Sequence, residues 1–287
     1  MTDYLQKSYQ YCSYIARTQA KNFYYSFLVL PKEKRDAMCA IYTFMRYCDD
    51  AVDDAKELDD KKQALIQCKS ELDLALRGQY RDHPLFPAFH DVVLRYKIPF
   101  DYFYELIDGM EMDLTITRYS TFDDLYKYCY KAASVVGLVS IHVFGFENEE
   151  AIKYAEYCGV AFQLTNIIRD IPEDFGRGRI YLPQEDLEQF GCSESDLGTK
   201  EVSPKLKQLL EYEVKRADEY YSKSLPLVPL IHKTSRPCLI AMIKIYRELL
   251  TEIKDNNYNV FSERVRLPVW RKLVIGGQAW LESYKPA

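Results

Sequence analysis

The sequence predicts an all-α protein. Apolar residues recur at helical spacing in one segment after another, and no stretch alternates convincingly as a strand. The 11 glycines and 12 prolines fall mainly between the periodic segments, where they act as punctuation. No linker rich in Gly, Ser or Pro and no low-complexity tract divides the 287 residues. One helical domain over 1–287 is the simplest organisation.

The periodicity places helices over 3–20, 32–54, 59–77, 84–96, 100–113, 121–144, 148–170, 183–190, 202–224, 236–254 and 269–283. Pro31 fits the first turn of the second helix. Lys97-Ile-Pro99 separates two helices, because the residue before a proline avoids the helical region. Thr121 offers a hydroxyl cap ahead of Asp123 and Asp124. Gly176-Arg-Gly178-Arg179 reads as a basic connector, and Pro226 and Pro229 stop or bend another helix.

Composition narrows the function. A formal net charge of -5 argues against a general nucleic-acid binder, which needs a basic footprint. Eight cysteines form no CxxC pair or zinc-like cluster and read as buried, reduced thiols of a cytosolic protein. No secretory leader is expected at the N-terminus, and no apolar run reaches the ~20 residues of a membrane span. The four His are scattered and receive no role. The 25 Tyr and 14 Phe fit either a large core or a cavity with aromatic walls.

Two acidic constellations carry the chemistry. In the first, Tyr42, Arg46, Asp49, Asp50 and Asp53 share one broad helix face, with Met38, Ile41, Met45 and Val52 expected on the opposite side, partly interleaved. In the second, Gln163, Asn166, Asp170 and Asp174 follow at steps of three, four and four, while Leu164, Ile167 and Ile168 face elsewhere. Like charges one turn apart disfavour a helix by roughly 0.2–0.5 kcal/mol per pair, so a bound cation is the natural compensation. Magnesium prefers oxygen ligands, water and substrate phosphates; Arg46 offers a guanidinium fork to a phosphate, and Arg169 balances the negative charge of the second motif. The bland alternative for each motif is a solvated acidic helix end. Pro172 lacks the amide that would reach residue 168, so a kink is expected there, or Asp174 lies just beyond the helix. Gly159 and Ala161 allow close helix packing or leave room for a ligand.

Asp49-Asp-Ala-Val-Asp53, Asp108-Gly-Met-Glu-Met-Asp113, Tyr128-Cys-Tyr-Lys-Ala-Ala-Ser-Val-Val-Gly137, Gln163 through Asp174 and Gly178-Arg-Ile-Tyr-Leu-Pro183 together resemble the squalene/phytoene synthase family, from about residue 10 to 265. The resemblance implies an isoprenoid synthase fold with a central cavity, in which two prenyl diphosphates condense head to head through a cyclopropylcarbinyl diphosphate. It implies Mg2+ held by Asp49, Asp53, Asn166, Asp170 and Asp174. Asp50 joins these aspartates in the catalytic set, with Tyr128 beside the reacting carbons. Lys21, Tyr42, Arg46, Gln163, Arg169, Arg179 and Tyr258 fall to substrate binding, together with Tyr128 and Asn166. Ala20 and Asn22 replace the family's usual serines, and Pro172 stands where many relatives have glycine.

Farnesyl diphosphate leading to presqualene diphosphate is the expected chemistry, with NADPH needed if squalene is the final product. Phytoene synthesis from geranylgeranyl diphosphate is the alternative; a class I terpene cyclase and a non-catalytic helical interaction protein stand further off. Phe23, Phe27, Tyr42, Tyr128, Val135, Val136, Leu138 and Leu164 are candidate cavity walls. The expected enzyme is cytoplasmic, binds no nucleic acid, and touches a membrane only peripherally to deliver its apolar product. Its oligomeric state is left open.

Overall fold

The computed structural model describes residues 3–20, 23–80, 83–199 and 201–283, apart from the Asp53 side chain. Lys21 and Asn22 lie outside the described residues. The helices are α1 (Asp3–Gln19), α2 (Phe23–Phe27), α3 (Lys32–Asp53), α4 (Leu58–Leu76), α5 (Phe86–Arg95), α6 (Asp101–Thr115) and α7 (Phe122–Cys129). A π-helical turn (Tyr130–Ser134) leads into α8 (Val135–Phe144), then α9 (Glu150–Gly176), α10 (Gln184–Gln189) and a short 3-10 turn (Glu194–Gly198). The chain continues through α11 (Pro204–Ser224), α12 (Leu227–Leu230), α13 (Arg236–Asp255) and α14 (Val269–Ser283). Among the described residues the sole β pairing is an isolated bridge between Phe146 and Ile231.

The capping residues behave as their chemistry dictates. Pro31 stands just ahead of α3, one residue before its expected place in the first turn, and the Thr121 hydroxyl accepts the Asp124 amide to open α7. The expected helix over 121–144 is interrupted by the π turn, and α9 is longer than its expected end at 170. Pro172 does not stop it. The amide of Arg177 reaches back to the carbonyl oxygens of Glu173 and Asp174, so the last turn closes and Asp174 lies inside the helix. The α2, α12 and 3-10 segments, five residues or fewer, were too short for periodicity to reveal.

Five helices close a ring. α3 packs on α8, α8 on α9, α9 on α13, α13 on α2, and α2 back on α3. The ring depends on close approach between α9 and the π turn: a Cβ on Gly159 would lie 2.3 Å from the Ser134 Cα. The Ser134 hydroxyl donates to the Glu156 carbonyl at 2.8 Å across the same crossing. Behind α9, α11 is tied on by the Thr165–Tyr221 hydroxyl pair at 2.8 Å. A single hydrophobic cluster runs from Tyr9 to Ile275.

Candidate active site

The ring encloses a cavity of about 270 Å³. Along α3 its wall runs from Met38 through Ile41, Tyr42, Met45 and Arg46 to Asp49; along α9 it runs from Ala155 through Cys158, Gly159, Phe162 and Gln163 to Asn166. Each wall spans twelve residues of helix, about 16 Å of depth. Met38, Ile41 and Met45 therefore share the face of Tyr42, Arg46 and Asp49, correcting the expectation that they lie opposite. An apolar ligand with a polar head needs both kinds of side chain on one stripe. Phe144, Leu227 and Leu239 stand with Met38 and Ala155 at the deep end.

Of the expected walls, Phe23, Phe27, Tyr42 and Val136 line the cavity, whereas Tyr128, Val135, Leu138 and Leu164 do not. The last three are core residues, each no more than 2% exposed. Sequence reasoning missed Tyr246, whose ring stacks on Phe162 at 4.3 Å and on Phe23 at 5.6 Å. Burial pushes its phenol up to about 12, against the pull of Arg169 and Asn166.

The mouth is polar, and two of its buried atoms lack a hydrogen-bond partner. One is a donor, Arg46 Nε; the other is an acceptor, Asn166 Oδ1. Arg46 pairs with Asp50 one turn on, and Asn166 Nδ2 donates to Gln163 Oε1 at 3.4 Å. Asp49 is exposed beside them. Further along α9, Asp170 accepts from Arg169 Nε at 2.8 Å and from two Arg264 nitrogens at 2.9 Å each. Burial works to raise the Asp170 carboxyl, but those two guanidinium groups outweigh it and hold it below the usual carboxylate range. Asp174, one turn on, goes the other way. Burial and then the Asp170 charge push it up to about 7, opposed by Arg177 and Arg179.

A second polar layer adjoins the mouth. The Asp113 carboxylate accepts from the Tyr181 hydroxyl at 2.7 Å and from the Tyr128 hydroxyl at 3.3 Å. Gln163 Nε2 donates to Tyr128 at 3.4 Å, linking this layer to the cavity. Arg179 acts on the charges of both Asp113 and Asp174. The other acid of that motif, Asp108, is held by Lys69 at 2.9 Å and Lys131 at 3.0 Å. Tyr258 is not brought to the cavity: it sits at φ 60° in the turn after α13, 6.0 Å from the Lys207 ammonium. Asp53 closes α3, with its side chain outside the described residues. Among the described residues no three His, Cys, Asp or Glu side chains converge as a ready-made metal site.

An all-α ring around an apolar cavity, with carboxylate, amide and guanidinium groups at one end, defines the isoprenoid synthase class. The sequence pattern described as squalene/phytoene synthase matches residues 16–271, and the chain belongs to that family. It is a head-to-head prenyltransferase. It is 36% identical over 281 residues to a 15-cis-phytoene synthase of Synechococcus elongatus, covering 94% of this chain and 91% of that one. It is 35% identical to phytoene synthase 1 of Arabidopsis thaliana, covering 97% of this chain and 67% of that one. A dehydrosqualene synthase crystal structure superposes with a TM-score of 0.89 at 31% identity over 98% of both chains. A squalene synthase from Alicyclobacillus acidocaldarius gives 0.84 at 27% identity, over 90% of this chain and 97% of that one.

Proposed function

We propose that residues 1–287 act as one unit that joins two C15 prenyl diphosphates, probed most directly as farnesyl diphosphate, into presqualene diphosphate. The observation that carries this reading is the paired orphan atoms at the cavity mouth. Arg46 Nε lacks an acceptor, as a site for an anion would, and Asn166 Oδ1 lacks a donor, as a site for a cation would. Magnesium fits this donor set. Asp49 and Asp53 on one helix and Asn166, Asp170 and Asp174 on the other would hold it, with water and diphosphate oxygens completing the shell. When bound, it supplies Lewis-acid neutralisation of the charge on the departing diphosphate.

The chain's own groups do the rest. Arg46, positioned by Asp50, donates to the diphosphate, while Gln163 and Arg169 serve its oxygens on the α9 side. Arg179 adds positive charge to the same substrate region, and Lys21 is assigned to the substrate by the family resemblance alone. Breaking the C1–O bond sends the electron pair out with diphosphate and leaves an allylic cation. The second chain's double bond attacks that carbon, and loss of a proton to diphosphate closes the cyclopropane. Tyr246, Phe162 and Phe23 present π faces to the cation and exclude the water that would quench it. Tyr128, reached through Gln163, orients the end nearest the reacting carbons.

The cavity depth favours an extended C15 tail over a C20 one. A second reading, two C20 chains joined to phytoene, is favoured by the phytoene synthases at 33–36% identity. The enzyme works in the cytoplasm and meets a bilayer to release its product. The test supplies farnesyl or geranylgeranyl diphosphate with magnesium, with and without NADPH, and identifies products by mass spectrometry. A C30 diphosphate, reduced to squalene if NADPH is used, is expected from farnesyl diphosphate. C40 product from geranylgeranyl diphosphate with none from farnesyl diphosphate overturns the C15 assignment, and a product built on one prenyl chain overturns head-to-head joining.

A further inference from the structure

A second cavity, of about 210 Å³, lies where α3, α4 and α5 meet. Tyr47, Glu71, Leu74, Tyr80, His83 and Phe86 line it, and none of these lines the catalytic cavity. Tyr47 is half a turn of α3 away from the stripe that carries Tyr42, Arg46 and Asp49. The rings form a connected wall. Tyr47 lies 5.0 Å from His83 and 5.6 Å from Phe86, and His83 lies 5.5 Å from Phe86, centroid to centroid. His83 Nδ1 accepts the Leu85 amide at 3.3 Å, which fixes the ring. Burial pushes the imidazole below its usual range, against the pull of Glu71, so the ring stands neutral.

Glu71 is the one acid in this wall. Its carboxylate accepts from the Tyr47 hydroxyl and, at 3.0 Å, from Gln67 Nε2. Both donors are neutral, and no Lys or Arg among the described residues pairs with it. A half-buried negative charge therefore borders a cavity with four aromatic rings in its wall and no described side-chain cation to match it.

We infer that this second cavity binds a small quaternary ammonium ion of the choline type. Aromatic rings attract a cation through their quadrupole, and several rings together are the arrangement that holds quaternary ammonium groups. The carboxylate adds the opposite charge. Other ligands fit less well. Magnesium demands octahedral oxygen coordination and calcium takes six or more oxygens, which one carboxylate beside two phenols does not supply. A primary ammonium brings three N–H donors. Glu71 already spends one oxygen on Tyr47 and the other on Gln67, and the rest of the wall is mostly ring and Leu74. A neutral apolar molecule would leave the Glu71 charge unmatched. A quaternary ion supplies the charge and needs no acceptor.

The full chain is titrated calorimetrically with choline and, in parallel, with 3,3-dimethylbutan-1-ol, its neutral carbon isostere, at fixed ionic strength. An ammonium ion also suits a cavity that stabilises an allylic cation. Each titration is therefore repeated with magnesium and a farnesyl thiodiphosphate filling the catalytic cavity. Saturable choline binding that persists with the analogue is expected, with the alcohol about tenfold weaker or silent. Glu71→Gln, which keeps the shape of the side chain, and Tyr80→Leu should each weaken choline about tenfold. Both variants should match the wild type in circular dichroism and in turnover of prenyl diphosphate. Glycerophosphocholine binding as tightly as choline assigns the group to a lipid headgroup, and choline binding alone assigns it to the free ion; either upholds the site. No saturable binding overturns the inference, as does equal binding of the alcohol. So does binding that the thiodiphosphate abolishes, or wild-type affinity in both variants. Choline binding that appears only after Arg81→Gln overturns it too, since the chain's own guanidinium would then be the occupant.

Discussion

Arg264 grips the Asp170 carboxylate from 94 residues away, with two nitrogens each 2.9 Å from its oxygens. Arg169 takes the same carboxylate from inside α9. The central carboxylate of the second acidic motif is thus already neutralised before any ligand arrives. This separates two substitutions that look alike in the sequence. Asp49→Asn, at an exposed position, should lower kcat by about 10²–10³-fold, the scale of losing one electrostatic contact to the transition state. Its thermal midpoint should stay at the wild-type value. Asp170→Asn should lose comparable turnover and also about 3 kcal/mol of stability, because Arg169, only 9% exposed, is left without its counter-charge. Steady-state kinetics with urea unfolding checks both. Normal turnover in the double variant would refute the cation-clamp assignment.

Away from the site, Arg216 holds two buried carboxylates, Asp186 at 2.7 Å and Glu213 at 2.9 Å, joining α10 to α11. One guanidinium cannot neutralise both. Burial pushes Glu213 up from 4.5 to about 8, with Arg216 pulling it down and Asp186 pushing further up. A carboxyl whose folded value exceeds its unfolded one binds more protons when folded. Its stabilising effect is therefore full below about 4.5 and is lost as pH rises towards about 8. Wild-type unfolding free energy should fall across that window, and Glu213→Gln should flatten the slope. Arg216→Met should cost about 3–5 kcal/mol at neutral pH, where it strands buried charge.

Much of the fold and half of the site could be read before the structure. The i, i+4 acids put Asp49 and Asn166 on facing helices, and the strongest helical periods fell close to their actual bounds. The failures have physical causes. Arg264 and Tyr246 join the site only through tertiary packing, so no local spacing announces them. Met38 and Met45 share the stripe of Arg46 instead of lying largely opposite it, because a cavity for a greasy anion needs apolar and charged side chains on one helix face. The question over the tyrosines resolves both ways: Tyr221 is packed core, while Tyr42 and Tyr246 are walls.

Gly159 offers a test of the ring itself. An added Cβ meets backbone at 2.3 Å and 2.6 Å, atoms of Ser134 that no rotamer change can move away. Gly159→Ala should therefore force α9 and the π turn apart and cost about 1–3 kcal/mol, the usual penalty of overpacking. The thermal midpoint and the C30-forming rate should fall together. A variant as stable and as active as the wild type would show that this crossing has room for a methyl group.

The deep end of the cavity sets chain length on the proposed reading. Leu239, 4% exposed, faces this end with Met38 and Phe144, while the polar groups lie at the other. Truncating it lengthens the space available to a tail without touching Arg46, Asn166 or Tyr246. Leu239→Ala should raise kcat/KM for geranylgeranyl diphosphate relative to farnesyl diphosphate by about tenfold, the range that one or two methylenes command in an apolar pocket. It should also cost about 2–5 kcal/mol of stability, since the cavity it leaves is lined by rigid helices. Competition between the two labelled substrates, with C30 and C40 products counted together, measures the ratio directly. An unchanged ratio in a folded variant would move the length limit to another wall.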